Sequence, residues 1–499
     1  MTIQQAADVL HSYDEKRYAI QHALAILSCD GQTAAPRQSW KGRAKTMGYL
    51  SGLDYEAISD PALPEAIDTV LQAKEQADPV LYRLAELFHD DLEDMLLFSK
   101  EEYVANSEML TEAQTVWHEA KEKSDYALFA PYLEKIIAYC RTLGSRKDPS
   151  RAPYDVLLDT FEKGACMKDL DVFFGLLRDE LTPVIQAVAS KPQPESAFLH
   201  ADYPLHLQRV FSDRLMAMMG IDRECCSIAE TEHPFTDGVN KWDVRITTNY
   251  HADDPVSSLY SVIHEGGHAL YELGVDDALQ FTRLAGGSSM GIHESQSRFY
   301  ENLIGRSRPF SAAVFEVARE LFPEQLRAVT AEDWYRAINI ATPSLVRTEA
   351  DELTYPMHVL IRYEIEKQMM AGSVTVSELP EIWNSLYEKY LGIRPKCDRE
   401  GILQDSHWSC AAIGYFPSYA LGSAYGVQML HNMEKEVDVW GSAEKGDLTP
   451  VTAWLRERIH RFGQLKKPAE LLVSAGVAPF DPKVYVQYLK EKFTDLYAL

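Results

Sequence analysis

The chain reads as mainly α-helical with one minor β element. Three observations lead there. Apolar residues recur three and four apart, among abundant Ala, Leu, Glu and Lys, from residue 1 to about 145. Only one segment alternates as a strand does, and helical patterning resumes after residue 255 and runs almost to the end.

In order along the chain, the stretch LYRLAELFHDDLEDMLLFSKEEY (81–103) is representative of the N-terminal helices. Pro-rich punctuation at SRKDPSRAPYD (145–155) and SKPQPES (190–196) separates further helical stretches without the length or bias of a disordered linker. KWDVRITTNY (241–250) places Val244, Ile246 and two threonines in β-branched alternation just after a turn-like DGVN, which predicts a strand. The next segment, 253–274, predicts a helix of about 19 residues, with Asp254 as N-cap, Pro255 at the first helical position and Gly274 as C-cap. No internal repeat interrupts this order.

Composition narrows the function classes. With 499 residues, 46% of them hydrophobic, the chain can bury a large core. A formal net charge of -26 repels phosphate backbones and anionic lipid, so nucleic-acid and membrane-surface roles are disfavoured and partners should be proteins or small neutral or cationic molecules. The seven cysteines are scattered without a CxxC pair, which suits a reducing compartment. The N-terminal residues lack the basic start and apolar stretch of a signal peptide, and no run of about 18 apolar residues occurs. The expectation is a cytoplasmic protein.

Within the predicted 253–274 helix lies His264-Glu265-Gly266-Gly267-His268. Side chains four apart share a helix face, so both imidazoles can reach one ion, and Glu265, rotated about 100° round the helix, stands beside it as a base for a water molecule. This pattern marks zinc peptidases. Two adjacent glycines in mid-helix cost roughly 1 kcal/mol each relative to Ala, a cost that close approach of a substrate or a neighbouring helix explains. A hydrolytic zinc needs a third protein ligand and an open position. GIHESQSRFYENLIGRS (291–307) offers Glu294 near a helix start, with His293 as the competing ligand; Arg298, four residues on, is either an ion-pair partner of Glu294 or a site residue.

Six ordered motifs then resemble the carboxypeptidase Taq family of zinc metallocarboxypeptidases, also called thermostable carboxypeptidases. They are His233-Pro234-Phe235, Asp243-Val244-Arg245-Ile246-Thr247, His264 to His268, His293-Glu294-Ser295-Gln296, Arg347 to Asp351, and Gly401-Ile402-Leu403-Gln404-Asp405-Ser406-His407-Trp408. The resemblance spans nearly the whole length. One departure is Val346 where the family has Ile, the loss of a methylene. The resemblance implies a neurolysin-like helical fold, with a deep active-site groove that the N-terminal helices (about 1–145) partly cover, in a single catalytic domain spanning 1–499. It also implies homodimers and removal of single residues from peptide C-termini.

The resemblance assigns the third ligand to Glu294. It points to Arg347, whose planar fork matches a carboxylate, with His233 nearby as the receptor of the substrate's terminal carboxylate; the structural alternative for Arg347 is an ion pair with Glu349 or Asp351. Donors to a developing oxyanion come from His407, Tyr415 and Tyr419, with Tyr419 preferred by resemblance of spacing. Asp243 and Arg245, on one side of the strand, read as a structural ion pair. The expected cofactor is zinc, with cobalt or another divalent metal as substitutes. The expected substrates are peptides with a free C-terminus. The alternatives are an endo-acting oligopeptidase on the same fold or a non-catalytic binding protein.

Overall fold

The computed structural model describes residues 1–477 and 479–499. Its architecture is mainly α with one three-stranded sheet, as the sequence predicts. Six helices, from Ile3–Thr33 to Tyr126–Lys147, account for nearly all of the first 147 residues. The first opens on a capping box in which Thr2 and Gln5 satisfy each other's backbone N–H. Pro153 starts the Pro153–Phe161 helix, so the punctuation at 145–155 separates two helices as expected.

The buried hydrophobic residues fall into two clusters. The larger runs from Ala113 to Tyr497; the smaller holds Leu10, Leu63, Ile67, Leu84 and Phe88 of the N-terminal helices together with Val275, Leu279 and Leu284. Each such side chain, fully buried, contributes roughly 1.5–3 kcal/mol. The N-terminal helices are also tied to the body by polar contacts: Asp14 accepts from the Arg283 backbone N–H at 2.8 Å, and the Arg283 guanidinium pairs with Asp91 at 3.1 Å. Among the described residues no helix is long and apolar enough to cross a membrane.

The sheet has the order β1 (Cys226–Glu230), β3 (Asp243–Thr248), β2 (Thr236–Asn240), with β1 parallel and β2 antiparallel to the central strand. The predicted strand is the central β3, whose Val244 and Ile246 are fully buried. The two edge strands lie outside the prediction, and DGVN (237–240) proves to be part of β2 rather than a turn. Gly238 is there because β2 lies against the Pro255–Gly274 helix: a Cβ at this position would fall 2.6 Å from Cγ of Glu272. Asp243 and Arg245 do form the expected ion pair, bidentate at 2.8 Å for both bonds.

Candidate active site

The Pro255–Gly274 helix carries the two histidines. Its N-cap is as predicted, the Asp254 carboxylate accepting from the Ser257 N–H at 3.2 Å. Its end is not: Gly274 remains helical and the C-cap is Val275. The glycine is needed for packing instead, since a Cβ on Gly274 would meet Cβ of His460 at 2.5 Å. Gly267 has the same explanation, a Cβ there falling 2.6 Å from the Gln296 carbonyl oxygen and 2.7 Å from Cα of Ser297. The missing side chain lets the Met290–Arg298 helix lie directly against the histidine helix, and that second helix carries Glu294.

One ligand atom from each of His264, His268 and Glu294 lies within 4.8 Å of the others, so small side-chain rotations bring all three to one ion. Hydrogen bonds behind them fix the tautomers. His264 Nδ1 is 2.8 Å from Glu301 Oε2, a carboxylate that can only accept, which leaves Nε2 with its lone pair toward the cluster. His268 Nδ1 is 2.6 Å from His293 Nδ1, and His293 Nε2 is 2.7 Å from Glu272 Oε1. Glu272 therefore takes the His293 Nε2 proton, His293 Nδ1 accepts from His268, and His268 Nε2 is likewise left for an ion. His293, the competing ligand candidate, orients His268 in this structure and lies outside the three-residue cluster.

The charge balance suits a cation. Burial opposes protonation of His264, yet Glu301, Glu294 and Glu265 outweigh it and raise its pKa, so the pocket attracts positive charge. Burial pushes His268 down to about 4, leaving it neutral, as a metal ligand must be. Burial alone would raise the Glu294 carboxyl; Arg298, donating to it at 2.8 Å, and the two imidazoles hold it well below the usual range. Arg298 is thus both of the things the sequence left open, the partner of Glu294 and, through a 3.1 Å bond to Glu301, part of the site's support. The donor set fits a divalent ion that accepts nitrogen and carboxylate oxygen.

Glu265 is 7% exposed, and the Thr236 hydroxyl of β2 donates to its Oε2 at 2.6 Å. Burial raises its pKa above the ordinary carboxyl range, with His264 and Thr236 opposing. That shift makes it a better proton acceptor near neutral pH. Further along the same helix, Glu272 lines a cavity of about 330 Å³ together with Tyr18 and Gln21 of the first helix and Gly238 to Asn240 of β2.

A second polar cluster lies next to the first. Arg347 directs Nε and Nη2 to Asp405 Oδ1, at 3.1 and 2.9 Å, and Nη1 to the Tyr355 hydroxyl at 3.1 Å. Its ion-pair partner is therefore Asp405, neither Glu349 nor Asp351; Asp351 accepts from the backbone N–H groups of Leu353 and Thr354 at 3.0 Å each. The Tyr355 ring lies 4.2 Å from Cζ of Arg298, so one tyrosine bridges the Glu294 side to Arg347. His407 Nε2 is 3.3 Å from the Tyr419 hydroxyl, and the rings of Tyr415 and Tyr419 meet edge to face at 5.1 Å. Burial lowers His407 to about 4 and raises Tyr415 to about 12, so the first is a neutral imidazole and the second a protonated donor. Trp408 is buried and its indole N–H donates to Glu366 at 2.8 Å, which anchors the loop that carries His407. His233 stands exposed in the β1–β2 loop; among the described residues its ring makes no hydrogen bond.

Six residues that the structure places here escaped the sequence reading: Thr236, Glu272, Glu301, Tyr355, Asp405 (quoted within a motif but given no role) and Arg362, whose Nε donates to Asp405 Oδ2 at 2.7 Å. Glu301 had a local signal, standing seven residues after Glu294, and it lies in the π-helical turn Phe299–Gly305 that continues the Glu294 helix.

A helix presenting HExxH against a glutamate on a neighbouring helix, with a buried carboxylate beside the cluster, defines a metallopeptidase of the HExxH class. Residues 9–493 match the model of the Carboxypeptidase Taq (M32) metallopeptidase family, and the chain belongs to that family. It is 37% identical to carboxypeptidase 1 of Bacillus subtilis strain 168 over 499 residues, covering 98% of this chain and 100% of the relative. It is 35% identical to thermostable carboxypeptidase 1 of Pyrococcus furiosus, covering 95% of this chain and 96% of that one. The crystal structure of the M32 carboxypeptidase from Deinococcus radiodurans R1 superposes with a TM-score of 0.95 at 34% identity, covering 99% of both chains. The protein is a peptide hydrolase of the carboxypeptidase type, and its family implies a divalent metal.

Proposed function

We propose that the protein is a zinc-dependent carboxypeptidase that releases one residue at a time from free peptide C-termini. The observation that supports this is the link, through Tyr355, between the triad His264, His268 and Glu294 and a buried arginine with N–H groups to spare. Three of the five N–H groups of Arg347 are committed to Asp405 and Tyr355, leaving two for a carboxylate.

The triad would hold the zinc; when bound, it would polarise the scissile carbonyl and acidify the attacking water. Glu265 takes the proton of that water and passes it to the departing amine, Thr236 keeping its carboxylate aimed. His407, Tyr415 and Tyr419 are the candidate donors to the developing oxyanion, and Tyr419, which shares a hydrogen bond with His407, is preferred. Arg347 receives the substrate's terminal carboxylate, and His233 joins it if the β1–β2 loop folds inward over a bound peptide. A single catalytic domain over 1–499, its N-terminal helices lying across part of the groove, a homodimeric state and a cytoplasmic location complete the proposal.

The test is mass spectrometry of a free-carboxylate peptide and its C-terminally amidated twin after incubation with metal-loaded protein, beside a chelated control. Stepwise one-residue losses from the free peptide alone, abolished by chelation and by Glu265→Gln with stoichiometric zinc retained, are the expected result. Cleavage inside both peptides would move the assignment to an endo-acting oligopeptidase, and absence of both metal and hydrolysis to a binding protein.

A further inference from the structure

Asp405 is shared. While Arg347 binds one carboxylate oxygen, Arg362 binds the other, Nε to Oδ2 at 2.7 Å. The two arginines differ in a way that assigns them different tasks. Arg362 is 0% exposed, and the rest of its guanidinium is consumed by protein: Nη1 donates to the His358 carbonyl at 2.8 Å and the Tyr387 hydroxyl at 3.0 Å, and Nη2 to Gln404 Oε1 at 2.7 Å. It lies over the Trp383 ring at 4.4 Å and cannot touch a substrate. Arg347 is 6% exposed and keeps two N–H groups uncommitted.

The charges then matter. An arginine paired only with Asp405 would form a neutral unit, a poor receptor for an anion. With Arg362 on the second oxygen, the buried group of two guanidiniums and one carboxylate carries a net single positive charge, matched to one carboxylate. His358 and His407, the imidazoles in contact with this group, are held neutral by burial and add nothing. Further out, the Lys121 ammonium donates to the Gln404 carbonyl at 2.8 Å, and Glu366, which accepts from Trp408, Tyr154 and Gly414, is raised by burial to about 7, so the outlying groups leave the positive surplus in place.

We infer that Arg362 is a specificity-determining residue that acts through Arg347, supplying the uncompensated positive charge by which the site selects a free C-terminal carboxylate. The inference rests on the proposed carboxylate-binding role of Arg347. Its purpose in chemical terms is to let Asp405 hold Arg347 in place without cancelling it.

The readout is a ratio: the inhibition constant of a non-hydrolysable dipeptide analogue with an amidated C-terminus over that of the same analogue with a free carboxylate. In Arg362→Gln this ratio is expected to fall on the order of thirtyfold, the effect of a unit charge about 8 Å away at an effective dielectric near 20. In Arg362→Gln combined with Asp405→Asn the group regains its single positive charge, and the ratio should return to within about threefold of wild type. A structural brace would behave oppositely, the second substitution compounding the first, and that result would overturn the inference, as would an unchanged ratio in Arg362→Gln. Should Arg362→Gln not fold, Arg362→Lys and Asp405→Asn decide the matter: both keep or raise the charge, so a ratio at or above wild type supports the inference and a loss in both refutes it. A wild-type protein that binds both analogues equally would remove the carboxylate-receptor reading itself.

Discussion

Replacing Gly267 by alanine should separate the two helices that make the metal site. The added Cβ would lie 2.6 Å from the Gln296 carbonyl oxygen and 2.7 Å from Cα of Ser297, both backbone atoms of the helix that carries Glu294. Carbon–carbon contacts become favourable only near ~3.5 Å, so the helices must part by about 0.8 Å. Metal ligands tolerate displacements of only about 0.2 Å. Overpacking of this kind costs about 1–3 kcal/mol of stability, and a displaced third ligand should weaken metal binding at least ~10-fold to 100-fold, the range seen when a ligand is merely misoriented. Gly266→Ala is the matched control. Its Cβ would meet the Cε of Met219 at 2.8 Å and Cδ1 of Ile221 at 3.0 Å, the far ends of flexible side chains that can move aside. Both substitutions gain the same ~1 kcal/mol of helix propensity, so any difference between them is packing. The assay is zinc affinity by chelator competition, with denaturant unfolding of the metal-free proteins alongside. Equal zinc affinities for the two alanine variants would refute the reasoning.

Glu301→Gln removes the carboxylate that takes the His264 Nδ1 proton and should lower zinc affinity about 10–100-fold in the same competition assay while leaving all three ligands in place. Thr236→Val removes the donor that favours the ionised form of Glu265, so the Glu265 pKa rises further and the acid limb of the kcat/KM profile moves to higher pH; a profile that stays put or moves down would discount the hydroxyl. Glu162, which accepts from the Gly291 N–H at the start of the Glu294 helix, is raised by burial from 4.5 to about 7. A folded-state pKa above the unfolded one contributes stability that is whole below about pH 4.5 and is lost as pH climbs through about 7. Denaturant unfolding should therefore find that the wild type loses about 3 kcal/mol relative to Glu162→Gln between pH 4.5 and 8, order of magnitude, and a pH-independent difference would contradict the burial argument.

What could be read in the sequence was what is local. The i, i+4 spacing of His264 and His268 and the Asp254-Pro255 start are helix properties, and both are realised in one helix. Gly274 was misjudged because a glycine at a helix end serves equally well as a cap or as a contact point, and only the position of His460 distinguishes them. The edge strands were missed since CSIAE and TDGVN lack apolar alternation; they are strands because β3 offers backbone partners on both sides. Apart from the seven-residue spacing of Glu301 from Glu294, the supporting residues carry no pattern that ties them to the groups they support. Thr236 lies 29 residues from Glu265, Glu301 37 from His264 and Asp405 58 from Arg347, and nothing periodic connects such pairs before the chain folds. Arg347 stood out by its motif, but the structural alternative for it considered only the nearer acids Glu349 and Asp351, because sequence distance was the only distance to hand.

The same point bears on how an acidic protein handles an anionic substrate end. A net charge of -26 opposes the approach of any carboxylate, but exposed charges are screened over roughly 8 Å at physiological ionic strength, so they act on encounter and little on the bound state. Recognition then falls to charges removed from water. Arg347 and Arg362 are both nearly or wholly buried around one aspartate, and burial, which alone would raise the Asp405 pKa, is overcome by the two guanidiniums, so the aspartate stays charged and the group stays cationic. On the metal side the carboxylates predominate: Glu265, Glu294 and Glu301 surround two imidazoles, with Arg298 and Arg306 as the near counter-charges. In the proposed function, a peptide end placed between the two clusters would meet an anion receptor at its terminus and a cation-holding pocket at its last peptide bond, the two joined by Tyr355, which contacts both Arg298 and Arg347. The spacing of these two clusters, set on the metal side by packed helices and on the receptor side by the Asp405 ion pair that holds Arg347 in a short 3-10 turn, is what would restrict cleavage to the bond next to a free carboxylate.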